Sequence, residues 1–133
     1  MTPLMLDTNT VSEIVSYRRP EFRVRLRSEL PRGILVSAIS YGETMYGLSK
    51  NPAATRIATM TAAFFAETTV LPFTANAALR YGELRAEMSR NGKALQPLDM
   101  LIAAHALEAG TTLVSSDRAF RHVPGLTVED WTE

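Results

Sequence analysis

Four acidic side chains have the clearest capacity for chemistry in this sequence: Asp7, Glu43, Asp99 and Asp117. They are far apart in the chain, yet each lies beside a predicted strand end or helix start. In α/β folds, such junctions gather at the edge of the parallel sheet where ligands bind. Carboxylates that met there would repel one another, so the site would take up protons or hold cations. Oxygen ligands without histidine or cysteine favour a hard ion, and the pattern therefore predicts Mg²⁺ or Mn²⁺.

Each of these acids also has a purely structural interpretation. Asp7 and Glu43 could cap helices, Asp99 could interact with the dipole of its own helix, and Asp117 could stabilise a turn beside Arg118. Four independent caps need not share one edge of a sheet, whereas a cation site requires that they do. Convergence of the four side chains therefore separates the two interpretations.

Apolar segments alternate with amphipathic ones along the chain, which predicts an α/β fold with a mainly parallel sheet of four or five strands. The predicted strands are Leu4–Leu6, Ile34–Ile39, Thr68–Phe73, Thr111–Ser115 and a short last strand within Leu126–Trp131. On this sheet Asp7, Glu43 and Asp117 follow the first, second and fourth strands. These three acids are therefore expected at one edge.

Capping-box patterns mark two helix starts, at Thr10 with Glu13 and at Ser40 with Glu43. A third helix, from Pro97 to Ala109, is apolar almost all round and is expected to be buried. Asp99 opens that helix, so it joins the other acids only if the helix begins near the same edge.

Composition limits the possible functions of the 133 residues. A hydrophobic content of 46% fits one domain over residues 1–133. Fourteen basic and fourteen acidic side chains cancel, so attraction to a nucleic acid must be local or carried by metal. The chain has no cysteine, no recognisable secretion signal and no apolar run long enough for a membrane helix, and a soluble cytoplasmic protein is expected.

A divalent ion held by these carboxylates would suit cleavage of a phosphodiester. It can lower the pKa of a bound water and neutralise charge on the leaving oxygen, so no catalytic histidine is required. Asn9 and Ser115 are short polar residues beside the acids and could support them by hydrogen bonding. His105 is predicted to be a core histidine, and Arg85 is expected to pair with neighbouring acids on its helix rather than to contact substrate.

Several segments, in order, resemble the PIN-domain ribonucleases of the VapC toxin type. They are Leu4–Asn9, Ser40–Gly47 with Glu43, Leu98–Ala106 with Asp99, Leu113–Phe120 with Asp117, and Val123–Trp131. The match covers nearly the whole chain, and the set is far more specific than any single segment. The segment from Asn51 to Glu67 shows no family signature.

The resemblance implies a three-layer α/β/α sandwich and Mg²⁺- or Mn²⁺-dependent endonucleolytic cleavage of RNA, with transfer RNA favoured over ribosomal RNA. By family motif, Asp7, Glu43, Asp99 and Asp117 would be the catalytic metal ligands, with Asn9 and Ser115 in support. Some relatives carry asparagine at the place of Asp117. The resemblance also implies a cognate antitoxin as inhibitor, and a homodimer is expected.

Two other functions fit parts of the pattern. Asp7 followed by Asn9 is similar to the motif of aspartyl phosphatases, but those enzymes need an acid at the second position and Asn9 cannot protonate a leaving group. A non-catalytic binding module could use the acidic pocket only to dock an arginine of a partner. Metal-stimulated RNA cleavage distinguishes the nuclease from both.

Overall fold

Five parallel strands form a single sheet in the computed structural model, which describes residues 1–133. The strands are β1 (Leu4–Leu6), β2 (Ile34–Ser37), β3 (Thr69–Leu71), β4 (Thr112–Val114) and β5 (Val128–Glu129). Their order across the sheet is β3-β2-β1-β4-β5, and every neighbouring pair is parallel. The predicted fold class is confirmed, with β1 at the centre of the sheet.

Helices connect the strands and cover both faces of the sheet. They are α1 (Thr8–Val15), α2 (Pro20–Glu29), α3 (Ala38–Lys50), α4 (Thr55–Glu67), α5 (Ala75–Arg90) and α6 (Pro97–Glu108). Short 3₁₀ turns follow α2 at Leu30–Arg32 and β4 at Arg118–His122. None of these helices is long and apolar enough to cross a membrane.

The sheet separates two hydrophobic cores because successive side chains of a strand point to opposite faces. On β1, Leu4 and Leu6 join one core, which α1, α2 and α4 complete with residues such as Phe64. Met5 joins the other core, where α5 and α6 contribute buried side chains that include Leu84 and Ile102. This arrangement is the expected three-layer sandwich.

Both predicted capping boxes are wrong, because each helix begins earlier than its pattern indicated. Asp7 caps α1: its Oδ1 accepts a hydrogen bond from the Thr10 N–H at 2.9 Å. Ser37 caps α3, accepting from the Ile39 N–H at 3.1 Å, so Ser40 lies inside the helix. The second strand is consequently shorter than predicted and ends at Ser37 rather than at Ile39.

Candidate metal-binding site

The register of the central strands brings two of the four acids together. Leu6 of β1 pairs with Val114 of β4, and the Asp7 N–H donates to the Val114 carbonyl at 3.1 Å. The residue after β1 therefore stands beside the residue after β4, which is Ser115. Asp117 lies two residues further on, where its Oδ1 accepts the Ala119 N–H at 2.9 Å.

Glu43 reaches this edge from the second turn of α3, not from the first turn as predicted. The Thr8 hydroxyl donates a hydrogen bond to Glu43 Oε1 at 2.6 Å. Because Thr8 opens α1 directly after Asp7, this bond joins the helices that carry two of the four acids. Thr8 was not among the predicted site residues; its place between Asp7 and Asn9 was the only signal for it in the sequence.

Asp99 lies on the first turn of α6, and the charges that act on it indicate whether this helix begins near the edge that carries the other acids. Partial burial, followed by the negative charges of Asp117, Asp7 and Glu43, raises the pKa of Asp99 to about 6. Charges at a sheet edge act over short range, since solvent and salt screen distant pairs. Helix α6 therefore begins near the edge that carries the other three acids.

Asp7 is the most enclosed of the four, with 4% of its surface exposed. Burial raises its pKa, and the charge of Asp117 acts in the same direction; hydrogen bonds from Ser115 and Thr10 oppose the shift. Glu43 and Asp99 are half-buried, whereas Asp117 is exposed. The site is thus a cleft whose floor is Asp7 and whose rim is open to solvent.

The donor set fits a hard divalent cation. No arginine, lysine or histidine forms an ion pair with any of the four acids, although other acids of the chain pair with arginines. Four mutually repelling carboxylates without a basic partner favour a cation over a salt bridge.

The spacing of the four acids is wider than a complete coordination sphere requires. No three acidic or histidine side chains are grouped closely enough to hold an ion as they stand. Their role as ligands stays a prediction.

The two predicted supporting residues differ in position. Ser115 is buried, and its hydroxyl accepts the Asp117 N–H at 3.0 Å while it also hydrogen-bonds Asp7. Asn9 is exposed on the first turn of α1 and lines a groove of about 240 Å³ that also includes Glu43. Ser115 therefore contacts two of the acids, and Asn9 faces the approach to them.

The remaining assignments concern His105 and Arg85. His105 is 2% exposed, and its Nδ1 lies 2.7 Å from the hydroxyl of Ser37, so the prediction of a core histidine is confirmed. Burial lowers its pKa, which keeps the ring neutral near pH 7. The expected pairing of Arg85 with acids of its helix is wrong: its Nη1 donates to the hydroxyl of Tyr81 at 2.7 Å instead.

Comparison with known proteins identifies the family to which this chain belongs. The family model for the PIN domain matches residues 4–126. The tRNA(fMet)-specific endonuclease VapC of Salmonella typhimurium is 33% identical over 132 residues, which cover 98% of this chain and 99% of that protein. Ribonuclease VapC2 of Haemophilus influenzae is also 33% identical, with the same coverage of both chains.

Solved structures agree with the sequence comparisons. The chain superposes on VapBC2 from Rickettsia felis, bound to a promoter DNA fragment, with a TM-score of 0.91, 28% identity and coverage of 97% and 98% of the two chains. For DNA-bound VapBC from Salmonella typhimurium the TM-score is 0.90, with 33% identity over 98% and 99% of the two chains. The chain therefore belongs to the PIN-domain family, and within it to the VapC-type proteins.

Proposed function

We propose that this chain is a Mg²⁺- or Mn²⁺-dependent endoribonuclease that acts as the toxin of a toxin–antitoxin pair in the cytoplasm. The observation that carries the proposal is the position of Asp7 and Asp117 after the adjacent strands β1 and β4, where their charges and that of Glu43 act on Asp99. Similarity to relatives named as ribonucleases and endonucleases supports the reaction class. Nothing in the comparisons favours an aspartyl phosphatase.

The chain's own residues prepare the cleft for a metal-assisted reaction. A bound divalent ion would supply an activated water and neutralise charge on the phosphodiester. Asp7 is fixed by the Thr10 N–H, Glu43 by the Thr8 hydroxyl, and Asp117 by the Ala119 N–H. One oxygen of each of these three carboxylates is thus held by a donor, which limits the rotation of the side chain before any ligand arrives.

Transfer RNA is the proposed substrate class. Two relatives, from Salmonella typhimurium and Shigella flexneri, are named tRNA(fMet)-specific endonucleases and are 33% and 34% identical to this chain. The acids lie in an open cleft beside an exposed rim, which an unpaired loop enters more readily than a stacked duplex. Cleavage sites mapped on total RNA test this choice; cuts confined to ribosomal RNA would contradict it.

Replacing Asp7 by asparagine gives the direct test of the nuclease. Asparagine keeps an oxygen that can accept the Thr10 N–H but removes the charge at the floor of the cleft. We expect RNA cleavage that requires Mg²⁺ in the wild-type protein and falls by roughly a hundredfold or more in the variant. Unchanged circular dichroism is the control for folding. Equal cleavage by both proteins would assign the activity to a contaminant, and the absence of cleavage by either would favour a non-catalytic module.

An antitoxin that covers Glu43 would explain inhibition. The groove beside Glu43 runs between α1, α3 and α4 and includes Ile57, which is 37% exposed. Structural neighbours of this chain are VapBC complexes, which supports a protein partner. An apolar side chain of the partner seated against Ile57 would block access to the acids. Ile57→Asp should therefore weaken inhibition by the co-purified antitoxin while cleavage by the free chain is kept; unaltered inhibition would place the contact elsewhere.

A homodimer is part of the same proposal. Tyr46 on α3 and Leu79 on α5, which are 65% and 64% exposed, are the candidate contacts with a second copy. Light scattering of the free chain tests this. A monomeric mass at micromolar concentration would contradict it.

A further inference from the structure

A second pocket, separate from the cleft of acids, lies where the end of α5 meets the start of α6. It has a volume of about 240 Å³ and is lined by Tyr81, Arg85, Ser89, Lys93, Ala94, Leu95, Pro97 and Met100. The lining contains two cations and two hydroxyl groups but no carboxylate. The pocket is therefore basic where the cleft is acidic, and a basic lining favours the binding of an anion.

The two cations are not neutralised by the protein. Neither Arg85 nor Lys93 takes part in any ion pair, whereas Arg25 and Arg32 are bound to glutamates at 2.7 Å. Both are exposed at the mouth of the pocket. Their charges therefore remain available to a ligand from solvent.

The local structure positions Arg85 and Lys93 beside the pocket. The Arg85 guanidinium donates to the Tyr81 hydroxyl at 2.7 Å, one helical turn away, which holds it against the pocket wall. The chain reverses after α5 at Gly92, whose φ is +68°, and the Lys93 N–H donates to the Met88 carbonyl at 2.8 Å. This turn directs Lys93 back over the end of α5, on the side where Arg85 and Ser89 lie.

The pocket adjoins the proposed catalytic cleft. Pro97 and Met100, which line it, bracket Asp99 on the first turn of α6. At about 100° per residue, Asp99 projects from the other side of this turn, so one helix start separates the acids from the cations. An RNA strand with one phosphodiester at the acids could pass around α6 and reach the pocket with a neighbouring one.

The overall charge of the chain makes such a local contact necessary. Fourteen acidic and fourteen basic side chains cancel, and the cleft itself contains four acidic side chains and no basic partner, which does not attract an RNA backbone. We propose that Arg85 and Lys93, with the hydroxyls of Tyr81 and Ser89, bind a phosphodiester of the RNA strand flanking the cleavage site. The proposal rests on the nuclease function and names a contact to its substrate.

Binding of RNA without cleavage gives the decisive measurement. The Asp7→Asn protein is titrated in Mg²⁺ with a fluorescently labelled single-stranded RNA oligonucleotide at several salt concentrations, with and without Arg85→Ala and Lys93→Ala. We expect the double replacement to weaken binding roughly three- to tenfold and to reduce the slope of log K against log salt by about 0.7, the value for one phosphate contact on a single strand.

Arg90→Ala is the matched control, because Arg90 lies on the same helix, is exposed and forms no ion pair, but does not line the pocket. It removes one positive charge, as each single replacement at Arg85 or Lys93 does, and should leave the slope unchanged. Equal slopes for the double variant and this control, or no RNA binding by the Asp7→Asn protein, would overturn the phosphate contact.

Kinetics separate this proposal from the nuclease itself. In an otherwise wild-type chain, the double replacement should raise KM and leave kcat unchanged, because the pocket does not touch the reacting atoms. A fall in kcat alone would contradict a binding role. If the wild-type chain cut no RNA while the salt slope still responded to Arg85 and Lys93, the nuclease would fail and the phosphate contact would stand.

Discussion

At the scale of single residues, the cleft depends on how each carboxylate is held. Thr8 is the case that the structure adds, because its hydroxyl fixes Glu43 at 2.6 Å. Thr8→Val keeps the shape of the side chain and removes the donor. We expect cleavage to fall by roughly tenfold, since the freed glutamate must be ordered again in every cycle.

Thr44→Val is the control for Thr8. Thr44 lines the same groove, but its hydroxyl donates to the Ser40 carbonyl of its own helix and makes no hydrogen bond to the Glu43 carboxylate. Cleavage by this variant should remain close to wild type. If the two valine variants lost activity equally, the effect would come from the groove and not from the hydrogen bond to Glu43.

Asp99 allows a prediction about stability and pH. Its folded-state pKa of about 6 lies above the ordinary value of 3.8, so the folded protein binds more protons than the unfolded chain between these values. The charged carboxylate therefore destabilises the metal-free fold above pH 6, and this penalty disappears below about pH 4. Because Asp99 is only half-buried, solvent screening reduces the cost to about 1 kcal/mol.

Asp99→Asn should accordingly raise the unfolding temperature of the metal-free protein by about 3–5 °C at pH 7.5 and leave it unchanged near pH 4. Thermal unfolding in EDTA measures this. Asp130 provides the opposite case: hydrogen bonds from Thr132 lower its pKa, so Asp130→Asn should lower stability at pH 7.5. If Asp99→Asn were less stable than the wild-type protein at pH 7.5, the conclusion that the charged Asp99 carboxylate destabilises the metal-free fold would be wrong.

At the scale of elements, α3 and α6 carry Glu43 and Asp99, and one buried contact joins them. Ser37 caps α3, and its hydroxyl also lies 2.7 Å from His105 Nδ1 on α6. The ring of Phe73 packs edge-on against His105 with centroids 5.1 Å apart. This contact connects the start of one acid-bearing helix to the interior of the other.

Ser37→Ala removes both the cap and the partner of a buried histidine. The expected loss is about 2 kcal/mol of unfolding free energy, roughly 1 for the cap and 1 for the unsatisfied ring nitrogen. Thr74→Ala is a matched control, because Thr74 caps α5 by accepting from the Ala77 N–H at 3.2 Å and has no second partner. It should lose about 1 kcal/mol in denaturant unfolding. Equal losses would show that the contact with His105 contributes nothing.

Helix starts also show where sequence reasoning succeeded and where it failed. The start of α6 at Pro97 was correct, because proline suits the first helical position and the apolar run that follows is long. The starts of α1 and α3 were misplaced because Thr10 and Ser40 match the capping-box pattern as well as the real caps do. The true caps lie at the strand ends: Asp7 directly follows β1 and Ser37 is the last residue of β2, so their positions depend on strand lengths that the sequence does not define.

At the scale of the whole molecule, parallel topology made most of the site predictable. Once strands and helices alternate, residues after β1, β2 and β4 share one edge, so Asp7, Glu43 and Asp117 could be grouped from the sequence. Asp99 could not be placed in this way, because it precedes a helix rather than following a strand. The pocket of Arg85 and Lys93 was also beyond reach, since it depends on how α5 and α6 pack together.

Binding of a divalent ion should stabilise the whole fold in a way that depends on pH. An ion at tenfold its Kd contributes about 1.4 kcal/mol, or roughly 4–7 °C in unfolding temperature for a chain of this size. Because Asp99 takes up a proton near pH 6, the proton and the ion compete, and the Mg²⁺-induced shift should be full at pH 7.5 and small at pH 5. Sodium chloride at matched ionic strength controls for simple screening of the four acids, and Asp99→Asn should lose most of the shift at pH 7.5. A shift that sodium reproduces, or one that is the same at both pH values, would mean that the carboxylates do not bind the ion.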